Sequence, residues 1–98
     1  MKVQSSTIEN KYLRVKSINV GACLYEVYDK QKKINLILNL GPTKNYSSKN
    51  FYVGATCGRY AGRISNSKFN IKNKIYKLDG NEGKNTLHGG KIGFDRLE

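Results

Sequence analysis

The chain has 98 residues and a mass of 11.1 kDa, which is room for one domain or part of one. Eighteen Lys and Arg against seven Asp and Glu give a formal charge of +11 and a pI near 9.8. An apolar content of 38%, with ten Gly and one Pro, excludes disordered, collagen-like and proline-rich classes. The longest apolar stretch, residues 34–40, is interrupted by Asn35 and Asn39. A bilayer span needs about 20 mostly apolar residues, so no membrane partner is expected. The first fifteen residues hold no continuous apolar h-region, so a secretory signal is not expected either and the cytoplasm is the expected compartment.

The chain reads as short strands separated by turns. Residues 12–18 alternate through Leu13, Val15 and Ser17 on one face, and residues 22–28 form a second candidate strand. The run Asp29-Lys30-Gln31-Lys32-Lys33 is a polar turn. A third strand is expected over 34–40, with Ile34, Leu36, Leu38 and Leu40 on one face, ended by Gly41-Pro42 because Pro cannot donate to a ladder. Residues 43–50 are polar and read as a loop. Residues 68–78 read as a hairpin: Phe69 and Ile71 lie on the way in, and Ile75 and Tyr76 on the way out. Lys72-Asn73 forms its turn, and Asn tolerates positive φ. Residues 79–93 hold five glycines and are expected to be irregular. No stretch shows a 3.6-residue period of useful length, so the class is all-β or mostly β.

Charge and cysteine content exclude more than they specify. Fourteen of the eighteen basic residues are Lys, scattered so that Lys32-Lys33 is the only adjacent pair. Scattered lysine is the signature of a solvated surface, and Arg is the better reader of phosphate and guanine. Nucleic acid is therefore not expected as a partner, although a small basic nucleic-acid-binding β-domain stays open as the alternative reading. Cys23 and Cys57 form no CxxC pair, and with a single His they leave no four-ligand zinc set. Neither a metal nor any other cofactor is expected, and the two cysteines read as separate small hydrophobes.

Two segments carry chemical information. In Gly58-Arg59-Tyr60-Ala61-Gly62-Arg63-Ile64, two arginines four apart are framed by glycines. Small residues let the backbone close up and leave a guanidinium pointing into a site, where its planar fork suits paired sugar hydroxyls, a carboxylate or a phosphate. In Leu87-His88-Gly89-Gly90, followed by Gly93-Phe94-Asp95, the chain's one His sits against two glycines that remove bulk beside it. The competing readings are an exposed turn for the first segment and a structural histidine for the second.

Taken together, these segments resemble the aldose 1-epimerase (galactose mutarotase) family. The resemblance rests on the order GRYAGRI, then a Phe-containing hairpin with Tyr76-x-Leu78, then Asn85-Thr86-Leu87-His88-Gly89-Gly90 and GFD, with 25 positions from Arg63 to His88. Upstream, Gly21-Ala22 and residues 51–55 are similar to the family's N-terminal region. The resemblance covers nearly the whole chain but only the start of the family's domain. It implies the N-terminal part of a large antiparallel β-sandwich, with residues 1–98 a piece of one domain. It also implies an isomerase that interconverts the α and β anomers of an aldohexose such as galactose or glucose. By this resemblance Arg63 and His88 bind the sugar. Gly62 departs from the family's common Asn at that position. The family's acid His and base Glu lie beyond residue 98, so no catalytic residue is assigned here and these 98 residues alone are expected to be inactive. A non-catalytic sugar binder is the third reading.

Overall fold

Short apolar alternation and tight Asx turns build an antiparallel meander in the first third of the chain. A computed structural model describes residues 2–47 and 51–98. Strands β1 (Ser5–Glu9), β2 (Leu13–Ile18), β3 (Cys23–Asp29) and β4 (Ile34–Asn35) form one four-stranded antiparallel sheet in sequence order. The β1–β2 turn closes because the Asn10 side-chain oxygen accepts the Tyr12 and Leu13 amides at 2.8 and 2.9 Å. Asp29 does the same for Gln31 and Lys32 at 3.0 and 2.9 Å, so the expected polar turn forms there. β1 carries no apolar alternation in SSTIE and is exposed along its length, so it lies outside the strands read from sequence. Its ladder with β2, from Ser5 opposite Ile18 to Glu9 opposite Arg14, holds it as an edge.

A bulge in the β2–β3 ladder falls between Lys16 and Ser17, which pair with Glu26 and Leu24 and leave Tyr25 as the extra residue. Tyr25 packs against the small core of Ile18, Val20, Cys23 and Tyr46, with Val3, Leu40 and Ala55 at its margin. Tyr46 reaches that core from a 3₁₀ turn over Thr43–Ser47. Its ring meets Tyr25 edge-on at 5.7 Å, and its hydroxyl accepts the Leu40 amide at 3.0 Å. The loop expected over 43–50 is thus a 3₁₀ turn through residue 47; its last three residues lie outside the described ones.

The third expected strand, over 34–40, ends at Asn35. The cause is competition from side-chain amides. The Asn35 side-chain oxygen takes the Val27 amide at 3.0 Å. Asn39 bonds the Tyr25 carbonyl at 3.1 Å and accepts the Gly41 amide at 2.9 Å. Beyond one more backbone bond, from the Leu36 amide to the Val27 carbonyl at 2.8 Å, these side-chain bonds take the place of the ladder, and Leu36 and Leu38 are left exposed rather than buried on a shared face.

The remaining strands form two small pairs. β5 (Arg63–Ile64) pairs antiparallel with β8 (Thr86–Leu87), and β6 (Lys68–Ile71) with β7 (Lys74–Lys77). The β6–β7 hairpin turns at Lys72-Asn73, at φ of 48° and 65°, as its sequence predicts. Phe69 stacks on Tyr76 at 5.3 Å across it. The stretch over 79–93 is irregular apart from β8 and an isolated bridge between Glu82 and Asn85.

Among the described residues there is no α-helix, and no helix is long and apolar enough to cross a membrane. The radius of gyration is 16.5 Å, where a compact domain of this length measures about 13 Å. The molecule is elongated, 53 × 27 × 19 Å.

Candidate functional site

The two-residue ladder of β5 with β8 brings the two informative segments together. Arg63 lies opposite Leu87, and Ile64 opposite Thr86. Beyond that ladder the Gly62 amide donates to His88 Nδ1 at 3.0 Å, and the His88 amide donates to the Gly62 carbonyl at 3.0 Å. The sequence-predicted pair, Arg63 and His88, is therefore joined through one strand crossing. Arg59, the other arginine of GRYAGRI, lies apart, with its guanidinium over the Phe94 ring at 5.5 Å.

His88 sits at φ 48°, a left-handed conformation that non-glycine residues adopt sparingly. The backbone around it explains the adjoining glycines. A Cβ at Gly89, itself at φ 94°, would collide with the Gly58 carbonyl. At Gly62, φ 71°, a Cβ would have nothing within 4 Å. The imidazole is held on two sides. Its Nδ1 accepts from Gly62, and its ring meets Tyr52 edge-on at 4.8 Å. With Nδ1 as acceptor, the neutral ring carries its proton on Nε2 and offers a donor there.

Arg63 makes a two-bond pair with Glu82. Nε donates to Oε1 at 2.5 Å and Nη2 to Oε2 at 3.0 Å. This side-on fork holds the Glu82 carboxyl below its ordinary range, chiefly through the hydrogen bond from Arg63, with a further contribution from His88; the same bond raises Arg63. Glu82 is fixed by a tight turn in which the Asn85 amide donates to its carbonyl at 2.9 Å and its own amide donates to the Asn85 carbonyl at 3.1 Å. Asn81 braces the same loop from its side chain, accepting the Leu87 amide at 2.7 Å and donating to the Leu87 carbonyl at 2.9 Å. It also reaches the Tyr52 hydroxyl at 3.4 Å. Thr86, fully buried, ties β8 to the Asp79 carbonyl at 2.8 Å.

The arrangement is an open surface. Arg63, Glu82 and His88 do not line the neighbouring 490 Å³ cavity, which is walled by Tyr52, Asn81, Lys91 and Arg96 among others. Three donors of the guanidinium remain beyond the Glu82 fork, and the histidine adds Nε2–H. Such a donor set, with a carboxylate next to it, matches a polyhydroxy ligand. Glu82, Asn81 and Tyr52 are absent from the sequence-predicted site. Glu82 carried one local signal, as a carboxylate beside Gly83 in a loop that also holds the histidine; Asn81 and Tyr52 carried none.

The family model described as Aldose 1-epimerase matches residues 4–96. The chain belongs to the aldose 1-epimerase family. It is 38% identical to a galactose mutarotase of Sus scrofa over 98 residues, covering 97% of this chain and 29% of that protein. It is 37% identical to an aldose 1-epimerase of Haemophilus influenzae, covering 95% and 28%. The crystal structure of a galactose 1-epimerase from Lactobacillus acidophilus superposes with a TM-score of 0.81 at 33% identity, over 96% of this chain and 32% of that one. A C. elegans homologue superposes at 0.83 and 31% identity, over 96% and 30%. The chain thus spans about three-tenths of the length of the family members it matches, and its antiparallel all-β architecture is a portion of their fold.

Proposed function

We propose that these residues form the sugar-recognition end of an aldose 1-epimerase, part of a single such domain that binds an aldohexose such as galactose or glucose while its anomers interconvert. The observation that carries this reading is the pair of hydrogen bonds that sets His88 against Gly62, the residue before Arg63, at the end of the β5–β8 ladder in a member of this family. In this reading the free edge of the Arg63 fork donates to two neighbouring sugar hydroxyls, and His88 Nε2–H donates to a third oxygen or to the ring oxygen. Tyr52 keeps the imidazole upright. Mutarotation needs an acid and a base flanking the hemiacetal. Arg63 and His88 are assigned to binding and polarisation, and acid–base chemistry is left to other parts of the family fold. The free thiols of Cys23 and Cys57 accord with a reducing, cytoplasmic compartment.

The test is sugar titration of the chain followed by NMR. Galactose or glucose should shift Arg63 and His88 resonances. Arg63→Lys should weaken binding about ten- to a hundredfold, because a point charge cannot replace two parallel hydrogen bonds worth roughly 1.5–3 kcal/mol each. Lys68→Arg and Lys72→Arg, on the exposed hairpin, should leave affinity unchanged. Unaltered affinity in Arg63→Lys would remove Arg63 from the site.

A further inference from the structure

The pairing of Arg63 with a carboxylate decides more than its orientation. A guanidinium has two edges that can bind a planar pair of acceptors: the side edge, Nε–H with Nη2–H, and the end edge, Nη1–H with the second Nη2–H. Glu82 occupies the side edge with both carboxylate oxygens. The end edge keeps two parallel donors. Sterically that edge suits vicinal hydroxyls and an anionic group equally well. Electrostatically it does not, because the adjacent carboxylate cancels the arginine's charge.

Glu82 is also rigidly presented. Its residue is locked by the reciprocal backbone bonds with Asn85, while Asn81 and Leu87 fix the flanking chain. The Arg63 side chain is more exposed than its partner, 64% against 38%.

We propose that Glu82 is the specificity determinant of this site: it turns Arg63 end-on and cancels its charge, so that the site takes an uncharged sugar and turns away sugar acids and phosphorylated sugars. The uncharged-sugar half rests on the sugar-binding reading above; the anion-exclusion half does not, since inorganic phosphate tests it without any sugar.

The experiment titrates the 98-residue chain and its Glu82→Gln and Glu82→Asp variants with galactose, galacturonate and inorganic phosphate at low ionic strength. It follows the Arg63 side-chain N–H and His88 ring signals. Gln keeps the size and one acceptor but drops the charge; Asp keeps the charge. The wild-type chain and Glu82→Asp should bind galactose and show no saturable phosphate or galacturonate shift at Arg63. Glu82→Gln, which keeps one of the fork's two acceptors, should weaken galactose binding and bind both anions about tenfold or more tighter, the scale of one charge-assisted hydrogen bond in a screened site. Equal anion binding in the wild-type and Gln chains overturns the proposal. So do anion shifts confined to Lys91 and Arg96 in all three proteins. If galactose binds none of them while Gln alone gains phosphate at Arg63, the sugar reading fails and the charge gate stands.

Discussion

Gly62 and His88 exchange two hydrogen bonds, amide to Nδ1 and amide to carbonyl, each at 3.0 Å. The pair does two jobs at once: it continues the β5–β8 ladder by one step and it commits the imidazole to Nε2–H. These roles separate by substitution. Asn tolerates the left-handed backbone at position 88, and its side-chain oxygen can accept from Gly62, but it offers no donor where Nε2 stands. His88→Asn should therefore melt near the wild-type temperature and lose sugar binding. His88→Ala should lose binding and about 1 kcal/mol of stability, since the Gly62 amide loses its partner. Melting curves with a sugar titration check this. Equal destabilisation by both substitutions would assign His88 to packing against Tyr52.

The glycines around the histidine differ in what they cost to replace. At Gly89 a Cβ meets the Gly58 carbonyl, and φ is 94°. Strained backbone costs about 1–3 kcal/mol and overpacking a similar amount, so Gly89→Ala should destabilise by about 2–6 kcal/mol. At Gly62 nothing lies within 4 Å, so Gly62→Ala should cost only the left-handed backbone penalty, about 1–2 kcal/mol, and Gly62→Asn less. Denaturant unfolding of the three variants ranks them, and a Gly62 variant as unstable as Gly89→Ala would contradict the open space described here.

Acid should open the Arg63–Glu82 fork. The Glu82 carboxyl is held below its ordinary value of 4.5 by the Arg63 hydrogen bond. A depressed folded-state pKa means that the pair's stabilisation is present above 4.5 and is lost as the pH falls through the lower folded value. The fork should therefore be intact throughout the neutral range and release only below the ordinary carboxyl value of 4.5. Carboxyl-carbon NMR of Glu82 should give a midpoint below 4.5 in the wild type that rises in Arg63→Lys, where the two-bond fork is lost. A wild-type midpoint at or above the ordinary value would show that the fork does not persist in solution.

The positive charge should give only weak attachment to nucleic acid. Lys68, Lys72, Lys74 and Lys77 crowd one hairpin, with Lys68 directly opposite Lys77. This offers phosphate contacts without base readout. Filter binding over a salt series should show affinity that falls steeply with salt and is equal for unrelated sequences. Sequence-selective binding that survives physiological salt would favour a nucleic-acid-binding β-domain instead.

The sequence alone was enough to mark β2, β3, the β6–β7 hairpin with its Lys72-Asn73 turn, and Arg63 and His88 as the residues to watch. The strands and the turn are local signals, apolar alternation and a residue type tolerant of positive φ, whereas Arg63 and His88 stood out through the resemblance to the family. Tertiary structure alone decided where Asn35 and Asn39 end a strand, because a side-chain amide and a backbone ladder compete for the same Val27 and Tyr25 groups and hydrophobic pattern does not register that contest. It alone decided, too, that Arg63 pairs with Glu82. The two are nineteen positions apart, and they meet because β5 pairs with β8 while a four-residue turn from Glu82 to Asn85 swings the carboxylate back over the strand.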